Sequence, residues 1–173
     1  MSMRNLLALI LLWACSLAVA QEGPGLGVPA TAEQIAGWDI SVGPEGETLP
    51  TGSGTVAQGA AIYAIQCIAC HGVNGEGGTN DRLSGGHGTL GSGSAIMTVG
   101  SFWPYATTIF DYVRRAMPYQ QPGTLSNDQV YALTAYLLQI NGIVDEDAVM
   151  NAQTLPRVEM PNRDGFVWSW MED

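Results

Sequence analysis

The chain has 173 residues, 46% of them hydrophobic and only 13% charged, which gives room for one domain of ordinary size and argues against a large multidomain enzyme. Acidic residues outnumber basic ones 16 to 6, every basic residue is Arg, and the net charge of −10 argues against a nucleic-acid partner, which needs a positive surface. The 22 Gly and 9 Pro call for much irregular chain, yet the apolar fraction is too high for disorder, so something besides a large regular sheet must organise the interior.

Residues 1–20 read as a cleavable signal peptide. Arg4 precedes an apolar run over 6–14, and Ala18-Val19-Ala20 supplies the small residues at which signal peptidase cuts. The run is short for a membrane span of about 20 residues. A retained anchor is therefore the weaker reading, and lipid attachment at Cys15 is a second alternative, against which the bulky Trp13 stands where a small residue is expected. Cleavage after Ala20 leaves Cys67 and Cys70 as the two cysteines of an exported chain. Residues 21–54 are rich in Gly and Pro with little periodicity and are expected to form an extended N-terminal arm.

Thr55 is a suitable N-cap for a helix over 56–66, with Ile62, Tyr63 and Ile65 as its apolar contacts. Gly59 inside it costs about 1 kcal/mol relative to Ala, which calls for a reason such as a close helix crossing. The helix leads into Cys67-Ile68-Ala69-Cys70-His71, the C-x-x-C-H pattern of covalent c-type haem attachment. Two thiols at that spacing add across the vinyl groups of a porphyrin, and the adjacent His71 is thereby held under the iron as the proximal axial ligand. A thioredoxin-like redox pair would want a βαβ context, and a zinc site about two more Cys or His ligands at suitable spacing. A haem also answers the composition, because a large apolar disc gives Gly-rich loops a core to wrap.

Residues 72–101 are such a Gly-rich stretch, without a phosphate-loop pattern. Arg82 is its one basic residue and a candidate partner for a haem propionate. His87, among glycines, is a candidate sixth ligand but is read first as an exposed loop residue. A short helix over 107–116 carries Ile109, Phe110 and Val113 inward and Arg114-Arg115 at its C-terminal end, where positive charge suits the dipole. Met117 follows and precedes Pro118, which ends the helix and can hold the thioether in a fixed loop. Met117 is therefore the favoured distal ligand, with Met97 as the alternative; a Met thioether closes the iron and raises its potential, as suits electron transfer. Ser126 and Gln129 form a capping box for a helix over 127–140, whose Val130, Leu133, Leu137 and Ile140 share one face, and Asn141-Gly142 ends it. Residues 143–173, with the acidic run at 145–147 and with Phe166, Trp168 and Trp170, make a tail that wraps the body or docks on a partner.

The helix into the Cys-x-x-Cys-His motif, the Met-Pro at 117–118 and the last amphipathic helix together resemble a class I cytochrome c over about 55–142. The resemblance implies an all-α fold with one covalently bound haem c among Gly/Pro-rich loops, extended terminal arms, and first and last helices crossing near Gly59 and Tyr63. A narrower likeness spans roughly 35–167. Thr98-Val99-Gly100-Ser101-Phe102-Trp103-Pro104-Tyr105, Arg114-Arg115-Ala116-Met117-Pro118, Asn141-Gly142-Ile143-Val144-Asp145 and Met160-Pro161-Asn162-Arg163-Asp164-Gly165-Phe166 are similar to SoxD-type cytochromes, the haem subunits of the sulfur (sulfane) dehydrogenase. That family implies a periplasmic electron-transfer subunit. It takes electrons from a molybdenum-cofactor subunit during thiosulfate oxidation and passes them to a small cytochrome c or similar acceptor. Carried over by position, Cys67 and Cys70 bind the haem, His71 is proximal and Met117 distal. Some members carry two haem domains, whereas one attachment motif occurs here. Related single-haem subunits serve sulfite dehydrogenases, and a free carrier is a further alternative. No residue is assigned a substrate-converting role.

Overall fold

The computed structural model describes residues 25–167; the expected signal segment with Cys15, and the tail residues Trp168, Trp170 and Met171, lie outside the described residues. The chain divides into two compact units, Met1–Asp39 and Ile40–Asp173. The first contains a helix, α1 (Ala32–Trp38), inside the segment expected to be extended. Thr31 and Gln34 cap it reciprocally: Gln34 N–H donates to Thr31 Oγ1 at 3.2 Å and Thr31 N–H donates to Gln34 Oε1 at 2.9 Å.

The second unit holds β1 (Ser53–Thr55), α2 (Val56–Gln66), α3 (Ile68–His71), α4 (Ala106–Ala116), α5 (Asn127–Ile140) and β2 (Val149–Asn151), with 3-10 turns at Val73–Gly75 and Leu155–Arg157. The two strands pair antiparallel with Gly54 opposite Met150, a hairpin-like clasp between segments distant in sequence. With five helices and little strand among the described residues, this is the class I cytochrome c fold. Among the described residues no helix is long and apolar enough to cross a membrane.

The helices begin where their caps dictate. Thr55 and Gln58 form a capping box at the start of α2, and Ser126 and Gln129 form one at the start of α5. α2 buries Val56, Gly59 and Tyr63, a stripe at helical spacing that lies against α5. A side chain at Gly59 would overlap the carbonyl oxygen of Ala132 on α5, so its absence is what lets the two backbones approach. One turn further on, the rings of Tyr63 and Tyr136 meet at 5.1 Å. Ile65 does not join this contact, contrary to expectation. It stands two residues from Tyr63, about 200° round the helix, and is 82% exposed.

α5 is the central element, almost wholly buried from Val130 to Leu138 between α2, α4 and β1. α4 turns Ile109, Phe110 and Val113 inward, and Phe110 packs on Tyr131 with ring centroids 4.4 Å apart. The chain from Ile40 to Pro50 is fastened over these helices by polar ties. Asp111 accepts from Val42 N–H at 3.0 Å and is paired with Arg115, Arg114 donates to the Ile40 carbonyl at 3.3 Å, and Tyr131 donates to the Pro50 carbonyl at 2.8 Å. Residues 143–167 lie along the same body. Leu155 and Met160 are buried in the core, Phe166 meets Phe102 edge-on at 5.2 Å, and Arg163 stacks over Tyr105 at 4.9 Å.

Candidate haem site

At the end of α2 the chain makes one residue of turn at Cys67 and then the single helical turn of α3, which ends at His71. Gly72, with φ +77°, reverses the chain there, a conformation that disfavours any residue with a side chain. Tyr63 Oη donates to the Gly72 carbonyl at 2.9 Å and so ties α2 to the turn after His71. Burial, with smaller contributions from Cys67 and Tyr136, pushes the Tyr63 hydroxyl up to about 12, which keeps it a donor across the physiological range.

His71 Nδ1 lies 2.8 Å from the backbone oxygen of Asp81. A carbonyl can only accept, so Nδ1 carries the proton and Nε2 keeps its lone pair for a metal. The loop that supplies this carbonyl is itself fixed: Asn80 N–H donates to the Cys70 carbonyl at 2.9 Å and Gly77 N–H to the His71 carbonyl at 2.8 Å.

Cys67, Cys70 and His71 open onto a cleft of about 690 Å³, within the roughly 300–1,000 Å³ range of cofactor pockets. Its apolar walls include Val99 from the long loop, Ile109 and Val113 from α4, and Leu133 and Leu137 from α5. Met117 stands on the same cleft, delivered by the end of α4 in an extended conformation (φ −122°, ψ 148°) that the following Pro118 favours. Arg82 is at the cleft too, where its Nε donates to the Glu76 carbonyl at 3.2 Å. Burial, reinforced by Cys70, pushes the Cys67 thiol up to about 11, so the unmodified thiol is neutral at neutral pH.

The four residues of the expected donor set, Cys67, Cys70, His71 and Met117, are thus brought to one cavity, together with Arg82. Met97 also reaches it, 63% exposed. His87 is an exposed loop residue that does not line the cleft, and Met150 and Met160 are buried in the core away from it. Sequence reasoning missed Trp103 and Tyr112, which line the cleft as a T-shaped pair 5.6 Å apart, and the Asp81 carbonyl. The aromatic pair comes from two segments that nothing in their spacing links, and a backbone carbonyl carries no side-chain signal at all.

The residues fit a haem c. Two thiols and an imidazole with a fixed tautomer come from one short segment, a thioether comes from another, the walls are apolar, and a guanidinium stands by for carboxylates. The family model for cytochrome c matches residues 56–141. No curated protein matches the chain. Among solved structures, a chain of the sulfane dehydrogenase SoxCD from Paracoccus pantotrophus is similar at 44% identity, over 83% of this chain and 71% of that one, with a TM-score of 0.78. With that identity carried over most of both chains, and with the attachment motif, the crossed helices and the Met-Pro turn around one apolar cleft, this chain belongs to the class I cytochromes c, in the SoxD-type family.

Proposed function

We propose that this chain is the electron-transfer cytochrome of a periplasmic sulfur-oxidising complex, exported by the signal segment at 1–20, with one covalently bound haem. Cys67 and Cys70 form the thioether links, His71 is the proximal ligand, Met117 the distal one, and Arg82 contacts a propionate. The single observation that carries this reading is the gathering of those five residues on one apolar cleft. When bound, a haem supplies a one-electron Fe(III)/Fe(II) couple. The chain's own part is to hold His71 in the right tautomer through the Asp81 carbonyl, present the Met117 thioether, and keep water off the apolar walls. Likeness to the SoxCD chain supports a molybdenum-cofactor subunit as electron donor, and the net charge of −10 favours an acceptor with a basic face.

The test is the protein purified from a host competent in cytochrome maturation. Wild type is expected to be red, to refuse carbon monoxide when reduced, and to co-purify with a molybdenum-containing subunit in its native host. Met117→Ala is expected to bind carbon monoxide and to lose the red-edge absorption of an iron–thioether bond. Carbon monoxide binding by wild type would overturn the electron-transfer reading, and a silent Met117→Ala with a responsive Met97→Ala would move the distal ligand to residue 97.

A further inference from the structure

Asn141 closes α5 and is 7% exposed, deeper than a helix-ending Asn needs to be. Both ends of its amide are used. Nδ2 donates to the Leu137 carbonyl at 2.8 Å and to the Leu83 carbonyl at 3.1 Å, while Oδ1 accepts from Gly85 N–H at 3.1 Å. Two of these bonds clamp the segment 83–85, which starts two residues after Asp81. The same segment is gripped from the other side, where Leu83 N–H and Ser84 N–H both donate to the Gly75 carbonyl, at 2.7 and 3.0 Å. Gly100 leaves space for the amide, since a side chain there would overlap it. The loop that offers its carbonyl to His71 Nδ1 is therefore bolted to the end of the central helix through one side chain.

We infer that Asn141 is a positioning residue for His71: by fixing 83–85 it holds the Asp81 carbonyl against Nδ1–H and so sets how strongly the imidazole donates to a metal at Nε2. The inference rests on the reading of His71 as the proximal ligand. A firmly held acceptor draws the Nδ1 proton, makes the ring a better donor and favours the ferric state; a loosened one favours the ferrous state.

The experiment compares the holoprotein with Asn141→Leu, similar in size and unable to make any of the three bonds, and with Thr134→Val. Thr134 is buried on the same helix, and its hydroxyl donates to the Val130 carbonyl of that helix, so its loss costs stability without touching the loop. Asn141→Leu is expected to shift the Fe(III)/Fe(II) equilibrium about threefold or more toward Fe(II). It should also speed hydrogen–deuterium exchange of the His71 Nδ1 proton, followed by NMR, about tenfold. Thr134→Val should move neither. Should Asn141→Leu fail to mature, Asn141→Ser, too short for either loop bond, carries the same expectation. An unchanged potential and an unchanged exchange rate would overturn the inference, as would a Thr134→Val that moves both equally. If wild type lacks a ligated-imidazole Nδ1 proton, the His71 reading itself has failed, a result distinct from wild-type retention with no response to Asn141.

Discussion

The α2–α5 crossing and the long loop between α3 and α4 both contribute walls to the same cleft and are held by different means. At the crossing, two regular backbones satisfy their own polar groups and meet through apolar side chains and one missing side chain, at Gly59. The loop has no ladder of its own, so side chains join scattered backbone bonds in satisfying its buried polar groups. Thr98, Ser101 and Asn141 are all buried, and among the described residues no buried side-chain polar atom is left without a partner. The irregular chain here is held by hydrogen bonds between segments distant in sequence. The two regions should therefore break in different ways, the first by adding an atom and the second by removing one.

The largest effect is expected from adding a methyl at the crossing. Gly59→Ala gains about 1 kcal/mol of helix propensity. It also places Cβ on the Ala132 carbonyl oxygen, a backbone atom that cannot rotate away, so α5 must shift and open the Tyr63–Tyr136 contact. A net loss of about 3 kcal/mol is expected, measured as a lower urea midpoint of the holoprotein. A neutral or stabilising Gly59→Ala would show that the helices have slack at their crossing.

Thr98→Val makes the complementary break in the loop at constant shape. Thr98 Oγ1 donates to the Gly85 carbonyl at 2.8 Å and accepts from Gly100 N–H at 3.2 Å and Ser101 N–H at 3.0 Å. Valine leaves those groups unpaired in a buried setting, at a cost of about 2 kcal/mol. The loss should be local, with amide exchange speeding at Gly100 and Ser101 and unchanged in α2. Equal speeding in both regions would mean that loop and helices open as one unit.

The same division decides what could be read from the sequence. The limits of α2 and α5 follow from Thr55 and from Ser126 with Gln129, because a cap is a local signal, and the crossing at Gly59 follows from a glycine that costs stability unless something presses on it. α1 was hidden in a Gly/Pro-rich stretch although Thr31 and Gln34 have capping-box spacing. The β1–β2 clasp was not legible, since three residues are too few to show a period and the partners lie far apart in the chain. At the site, the motif and Met117 announced themselves by residue type. The Asp81 carbonyl, and the Asn141 clamp behind it, depend on a loop path that no spacing encodes.

The smallest expected effect tests where a tie between helix and irregular chain meets solvent chemistry. Tyr131 is fully buried on α5, and its hydroxyl donates to the Pro50 carbonyl at 2.8 Å, so Tyr131→Phe should cost about 1 kcal/mol at neutral pH. Burial pushes this hydroxyl from 10.0 up to about 12, against the pull of Arg114, which favours the anion. The unfolded chain then loses its proton near pH 10 while the native one keeps it to about pH 12. Over that window the native state binds more protons, so the contribution of Tyr131 is fully present below pH 10 and is lost as pH rises through about 12. Tyr131→Phe should flatten the alkaline limb of the stability profile while lowering its plateau. A limb equally steep in the variant would assign the alkaline loss to other groups and leave the arm's tie to α5 independent of pH.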